Sequence, residues 1–229
     1  MEDGIYRYDL HVHTYEGSAC ARTPGAELAD FYKSEGYAGL VVTDHFYAGN
    51  TRVPRDQPWE DWCAAFKKGF ENVKARGDEI GLDVFYGWEY SYSGTDFLTY
   101  GLDNDWLLLH PEVRTMDVRA YLNLVRESGG FVSHAHPFHE AGYIPYIRLL
   151  PHHVDAVEVI NATKPPVVNE RAAAYAASYG LLTTAGSDCH SSGARRLGGI
   201  EVKRRLTSIG DLIGVLRQGD FRVFLNVKD

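Results

Sequence analysis

Hydrophobic positions in this chain fall into short blocks of two kinds. Ile5 to Val12, Ala38 to Thr43, Leu82 to Trp88, Phe97 to Leu102 and Phe131 to Ser133 are compact apolar or alternating runs of strand length. Val154 to Ile160, Leu181 to Ala185, Gly199 to Arg205 and Arg222 to Val227 continue the series. Between these runs, apolar residues recur at three- and four-residue steps. Trp59, Trp62, Cys63, Phe66, Phe70 and Val73 predict a helix over 59–76, and Val118, Tyr121, Leu122 and Val125 predict one over 117–128. A helix over 24–35 is marked by Thr23 as N-cap, Pro24 at its first position and Gly36 as its stop. Val167 to Ser178 is an alanine-rich helix closed by Gly180, and Ser208 to Arg217 is the last helix. Strand and helix alternating at this spacing predict a mainly parallel sheet or an α/β barrel.

The polar residues with the most chemistry sit where the strand runs end. His11 and His13 close the first run, and Asp44 and His45 the second. Glu89 follows the third, His134 and His136 follow Phe131 to Ser133, and Asp188 and His190 follow Leu181 to Ala185. C-terminal ends of parallel strands converge on one mouth of a barrel, where such folds place their chemistry. On a strand, residues i and i+2 share a face, so each spaced pair is able to hold one ion. One such pair is also what two polar strand-end residues look like. Five clusters at five strand ends are a metal centre in outline.

These segments resemble the motifs of the polymerase and histidinol phosphatase (PHP) family of metal-dependent phosphoesterases. DLHVHT at 9–14, VTDH at 42–45, GWE at 87–89, HAHP at 134–137 and GSDCH at 186–190 occur in the family's order, with VEVINA at 157–162 before the last. The resemblance implies a distorted (β/α)7 barrel with the metals at the C-terminal ends of its strands. It implies two or three divalent ions, Zn, Mn or Fe. His11, His13, Glu89 and Asp188 would surround the first ion and carry catalysis. Glu89 would bridge to a second ion shared with His136, and His45 and His190 would hold a third. Imidazole with carboxylate suits these metals better than Ca. Ions about 3.5–4 Å apart clamp a phosphate and generate hydroxide at neutral pH.

Two departures from the family pattern carry expectations of their own. Many members have a histidine in a strand after GWE where this chain has Asp96, which is either a replacement ligand or a solvent-facing strand residue. Many continue the first motif as HTxxSDG, with the aspartate on the third metal. Here the stretch is His13-Thr-Tyr-Glu-Gly-Ser-Ala, so Glu16 is either the substitute ligand or a plain loop carboxylate. Asp44 is expected to orient a ligand imidazole. His134 is a hydrogen-bond partner behind the ligands, a further ligand or a buried structural residue. Cys189 should point away from its ligating neighbours by pleat parity. For phosphate binding, Arg195 and Arg196 come first and Lys164 next, with Arg171 and Arg22 behind them.

Composition narrows the partners. The 229 residues are 45% hydrophobic, enough for one substantial core, and are read as a single domain over 1–229. A formal net charge of −8 argues against an extended duplex-binding surface, though not against a local phosphate pocket. Three cysteines without paired spacing fit a reducing, cytoplasmic setting. No apolar run has the length of a membrane span, and MEDGIYRYDLH runs straight into a strand, which does not read as a signal peptide. The expected substrate is a small phosphate ester attacked by metal-activated water. Short oligonucleotides or nucleotide bisphosphates are the alternative within the same chemistry. An amidohydrolase-like C–N or C–O hydrolase, or a degenerate non-catalytic barrel, are the alternatives outside it.

Overall fold

The computed structural model describes residues 4–228. Its strands are β1 (Tyr6–Val12), β2 (Gly39–Val42), β3 (Asp83–Tyr92), β4 (Thr95–Tyr100), β5 (Phe131–Ala135), β6 (Ala156–Asn161), β7 (Leu182–Gly186), β8 (Arg196–Val202) and β9 (Arg222–Val227). The helices are α1 (Gly25–Ser34), α2 (Trp59–Phe66), α3 (Lys68–Ile80), α4 (Asn104–Leu109), α5 (Val118–Glu127), α6 (Pro166–Tyr179) and α7 (Ile209–Gln218). All nine strands join one sheet, in the order β7-β6-β5-β4-β3-β2-β1-β8-β9.

The sheet curls until its ends approach. Past β7, His13 N donates to Cys189 O at 2.9 Å and Cys189 N to His11 O at 3.3 Å, so the segment after β7 lies along β1. The result is a nearly closed, TIM-like barrel, as the motifs imply. It is less parallel than the alternation predicts. β1–β2–β3 and β5–β6–β7 are parallel, but β4 runs antiparallel between β3 and β5, and β8 and β9 are antiparallel as well. The β3–β4 turn passes through Ser93 and Gly94, both at positive φ, and so reverses the chain without a helix.

Helices and aromatic rings pack the outer layer, and the barrel interior is filled below the mouth. Tyr8, Leu10, Leu98, Tyr100 and Phe131 are fully buried in one cluster, and the Tyr100 hydroxyl donates to Leu10 O at 2.8 Å. Outside, Trp88 donates to the Tyr121 hydroxyl at 2.7 Å, so that buried indole keeps a partner.

Two local expectations change, and one short helix is new. The helix over 59–76 is two segments meeting at Lys67, and α3 continues to Ile80. α4, started by Asp103 accepting from Trp106 N, is too short to show a period. Thr23 does not cap α1; Pro24 holds the N-cap position, and Thr23 bonds Ser192 instead. No helix among the described residues is long and apolar enough to cross a membrane.

Candidate metal centre

β1 delivers His11 and His13 to the mouth, both without solvent exposure. Asp9 fixes the strand end: its Oδ1 accepts from His11 N and Ser187 N, and its Oδ2 accepts from the Tyr32 hydroxyl at 2.7 Å. Burial pushes the Asp9 carboxyl up to about 6. A raised folded pKa means stability that is present at low pH and lost as pH rises through that value. Asp9→Asn removes this loss. Between about pH 4 and pH 7 the stability difference should move in the variant's favour by about 2–3 kcal/mol, read by denaturation of metal-free protein.

Second-layer groups set the tautomers of both histidines. His11 Nδ1 donates to Glu158 Oε1 at 2.8 Å. His13 Nδ1 lies 3.0 Å from Ser18 Oγ, which itself donates to Asp44 Oδ1 at 2.7 Å, so His13 Nδ1 is the donor. Both Nε2 atoms therefore present lone pairs, and they face each other at 3.0 Å. Glu89 Oε1 stands 3.3 Å from His11 Nε2, and Asp188 Oδ1 stands 3.4 Å from His13 Nε2. Neither Glu89 oxygen has a hydrogen-bond donor, although the side chain is buried. Opposed lone pairs beside two buried carboxylates call for a cation, and the donor set fits one.

Without a metal, a proton on His11 takes the cation's place between the two rings. Burial disfavours charge on His11, but Glu158, Glu89 and Asp188 outweigh it and raise its pKa well above the usual value. Burial likewise works against Glu89 and Asp188, and the surrounding imidazoles hold both well below the usual carboxylate range. His13 goes the other way, lowered by burial and by His190 and His45.

Two further groups of donors adjoin the first. Glu89, Asp96 and His136 bring ligand atoms together, and burial with the neighbouring Glu89 raises the Asp96 carboxyl. His13, His45 and His190 form the other group. His45 Nδ1 approaches Glu89 Oε2 to 2.7 Å without hydrogen-bond alignment. His136 (φ 26°) and Asp188 (φ 54°) are two of three non-glycine residues with positive φ among those described. Holding ligands in that region costs backbone energy that the surrounding bonds offset. Gly186 lies against this cluster, where a Cβ would come within 2.4 Å of the His11 Cβ. Gly186→Ala should displace His11 and cost about 1–3 kcal/mol in denaturant unfolding, with metal affinity falling alongside.

The remaining expected site residues are placed as follows. Glu16 stays out of the cluster: its carboxylate accepts from Gly25 N at 3.0 Å and from Asn72 Nδ2 at 2.7 Å, capping α1. The third-site position it was expected to fill is approached instead by Cys20, whose thiol faces His190 and His45. Burial raises that thiol's pKa, but the two histidines bring it down to about 6. His134 is not behind a ligand. It stacks on Phe97 at 4.8 Å with both ring nitrogens unpartnered, and burial drives its pKa down to about 3. Asp44 accepts from Thr14 and Ser18, and so reaches His13 through Ser18 rather than directly. Cys189 is buried and turned into the core.

Among the cations, Lys164 pairs with Asp188 Oδ2 at 3.1 Å; burial opposes its charge and Asp188 restores it, leaving the pKa raised. Arg196 and Arg22 line a cavity with Cys20, Thr163 and His190, and the Arg196 Nε is buried without a partner. Arg195 is exposed and lines none of the described cavities near the centre. Glu158 and Asn161 were not anticipated. Glu158 holds His11 Nδ1 and His136 N, and Asn161 Nδ2 bonds both Glu158 and Asp188. The only sequence signal was a carboxylate in the middle of the apolar VEVINA run.

A nearly closed α/β barrel with buried His/Asp/Glu clusters at one mouth is an arrangement that can hold divalent ions. Residues 166–221 match the family model PHP_C, described as PHP-associated. No curated protein matches the chain in sequence. A two-domain protein from Bacteroides vulgatus, described as containing a predicted PHP-like metal-dependent phosphoesterase, superposes with a TM-score of 0.73 at 14% identity. That alignment covers 98% of this chain and 66% of the other, so the chain spans under two thirds of that protein. PsfC from Pseudomonas syringae gives a TM-score of 0.66 at 21% identity, covering 98% and 92%. An amidohydrolase from Chromobacterium violaceum, with bound sulfate and no metal, gives 0.57 at 14%, covering 80% and 87%. At these identities the likeness is one of fold. The family-model match is confined to residues 166–221, and over the chain as a whole what is shared with the PHP-like structure is the barrel fold.

Proposed function

We propose that this protein is a metal-dependent phosphoesterase acting on a small phosphomonoester. The observation that carries the reading is the adjacency of the donor groups His11–His13–Glu89 and His11–His136–Asp188 to a cavity walled by Asp188, Arg22 and Arg196, with the buried Arg196 Nε unpartnered. Divalent ions bound by these ligands supply Lewis acidity and lower the pKa of water at the site. The chain's own part is to bind and orient. Arg196 and Arg22 grip phosphate oxygens, since a guanidinium donates through a planar fork. Lys164, held by Asp188, adds a third positive charge in the adjoining cavity. Tyr143 and His139 line the adjoining cavity of about 460 Å³, the space left for the alcohol part of the ester. A cavity of that size admits a nucleotide as well, which keeps short oligonucleotide ends as the alternative substrate.

The likeness to an amidohydrolase raises a second reading, hydrolysis of C–N or C–O bonds. Such barrels use a carboxylated lysine, which forms only from a neutral amine. Lys164, the lysine at this centre, is held charged by Asp188, and this favours the phosphate reading. The test is a panel of an aryl phosphomonoester, an aryl phosphodiester, an anilide and a lactone, each with Mn, Zn or Fe. Turnover of the monoester is expected; turnover confined to the anilide or lactone would sink the proposal.

A further inference from the structure

The loop that follows His13 is tied down on both sides of the third group of donors. Ala19 N donates to Asn50 O at 2.8 Å, and Arg22 N donates to His190 O at 2.8 Å. Ser18 pairs with Thr51 and accepts from His45 N at 3.0 Å. Between these anchors Cys20 sits exposed at the rim of the mouth. It lines the cavity that holds His45 and Asp96, and also the one that holds Arg22 and Arg196. His190 donates from Nδ1 to Asp188 O at 2.8 Å, so its Nε2 offers a lone pair. Beside it are His45 Nδ1 and both Glu89 oxygens, buried and without hydrogen-bond partners. Glu89, 1% exposed, meets this group through Oε2, 2.7 Å from His45 Nδ1. His13, His45 and His190 already bring ring nitrogens together without the cysteine, a sign of a ligand independent of it.

We propose that Cys20, as a thiolate, joins His45 and His190 as a ligand of the third metal position, which thereby takes Zn in preference to Mn. This rests on the metal-centre reading above and adds a ligand to it. Sulfur is a softer donor than the carboxylates around the other positions, and a site of one thiolate and two imidazoles selects Zn, Co or Fe over Mn. On binding, the thiol proton passes to solvent and the sulfur electron pair forms the metal bond, so no oxidant or reductant is involved. The other two cysteines cannot substitute. Cys63 packs in the aromatic core, and Cys189 faces β1 and α1.

Co(II) tests the assignment, because a thiolate ligand adds an intense sulfur-to-metal charge-transfer band in the near ultraviolet that imidazole and carboxylate do not give. The expected result is that band in the wild type, its loss in Cys20→Ala and in Cys20→Ser, and a zinc content lower by about one equivalent per chain in both. Zinc should also protect Cys20 of the wild type from alkylation by iodoacetamide, where Mn at the same concentration does not. Cobalt bound without the band, or a band that survives in Cys20→Ala, overturns the thiolate ligand while leaving the metal centre standing. A wild type that binds neither Co nor Zn overturns the metal centre itself, and the inference with it.

Discussion

Replacing Asp188 by asparagine is expected to cut aryl phosphate turnover by at least about a thousandfold, near 4 kcal/mol of transition-state stabilisation, with the fold retained. Asparagine keeps the shape and tolerates the left-handed backbone at this position, where φ is 54°. What it removes is charge. Asp188 Oδ1 lies 3.4 Å from His13 Nε2 and 3.7 Å from His11 Nε2, while Oδ2 accepts from Thr163 at 3.1 Å and Asn161 at 3.3 Å. The single oxygen of the new amide would be claimed by those two donors, which turns its N–H groups toward the histidine lone pairs. Donors then occupy the space a cation needs, and Lys164 loses its carboxylate partner. Metal content by mass spectrometry should fall together with turnover. A thermal midpoint within a few degrees of the wild type would separate this from unfolding. Activity within about tenfold of wild type would remove Asp188 from the catalytic set.

The sequence made the centre legible wherever a ligand sits at the end of a regular strand. His11 is in β1 and His13 one residue beyond it, and Glu89 closes the apolar run of β3, although that strand itself continues to Tyr92. Pleat parity failed where the chain turns. His134 is still in β5 and faces outward onto Phe97, while His136 comes into the mouth only because its backbone leaves the strand at positive φ. Glu16 went astray for another reason. The loop folds it back onto the start of α1, where the Gly25 N–H, which has no partner inside the helix, and the Asn72 amide both donate to its carboxylate. Glu158 was out of reach of local reasoning, since it meets His11 across 147 residues of sequence. The antiparallel β4 was hidden as well, because its strand length is the same whichever way it runs.

Glu158→Gln should lower metal affinity by about 10–100-fold through the protonation of one ring. Glu158 Oε1 accepts from His11 Nδ1 at 2.8 Å; Oε2 accepts from His136 N at 3.0 Å and from Asn161 Nδ2 at 2.9 Å. Glutamine has only one oxygen for these three donors. With two of them on the Oε2 side, its oxygen settles there and its N–H groups face His11 Nδ1. His11 must then accept at Nδ1 and carry its proton on Nε2, the atom that faces His13, Glu89 and Asp188. That proton stands where the metal bond would form. Ring nitrogen chemical shifts of ¹⁵N-labelled His11 in the metal-free variant should report the switched tautomer, and zinc titration the weakened site. Glu158→Ala leaves the same donors unpartnered in a buried position and should cost several times more stability, about 2–5 kcal/mol in denaturant unfolding. A glutamine variant with wild-type zinc affinity and an unchanged His11 tautomer would show that Glu158 only braces the strand.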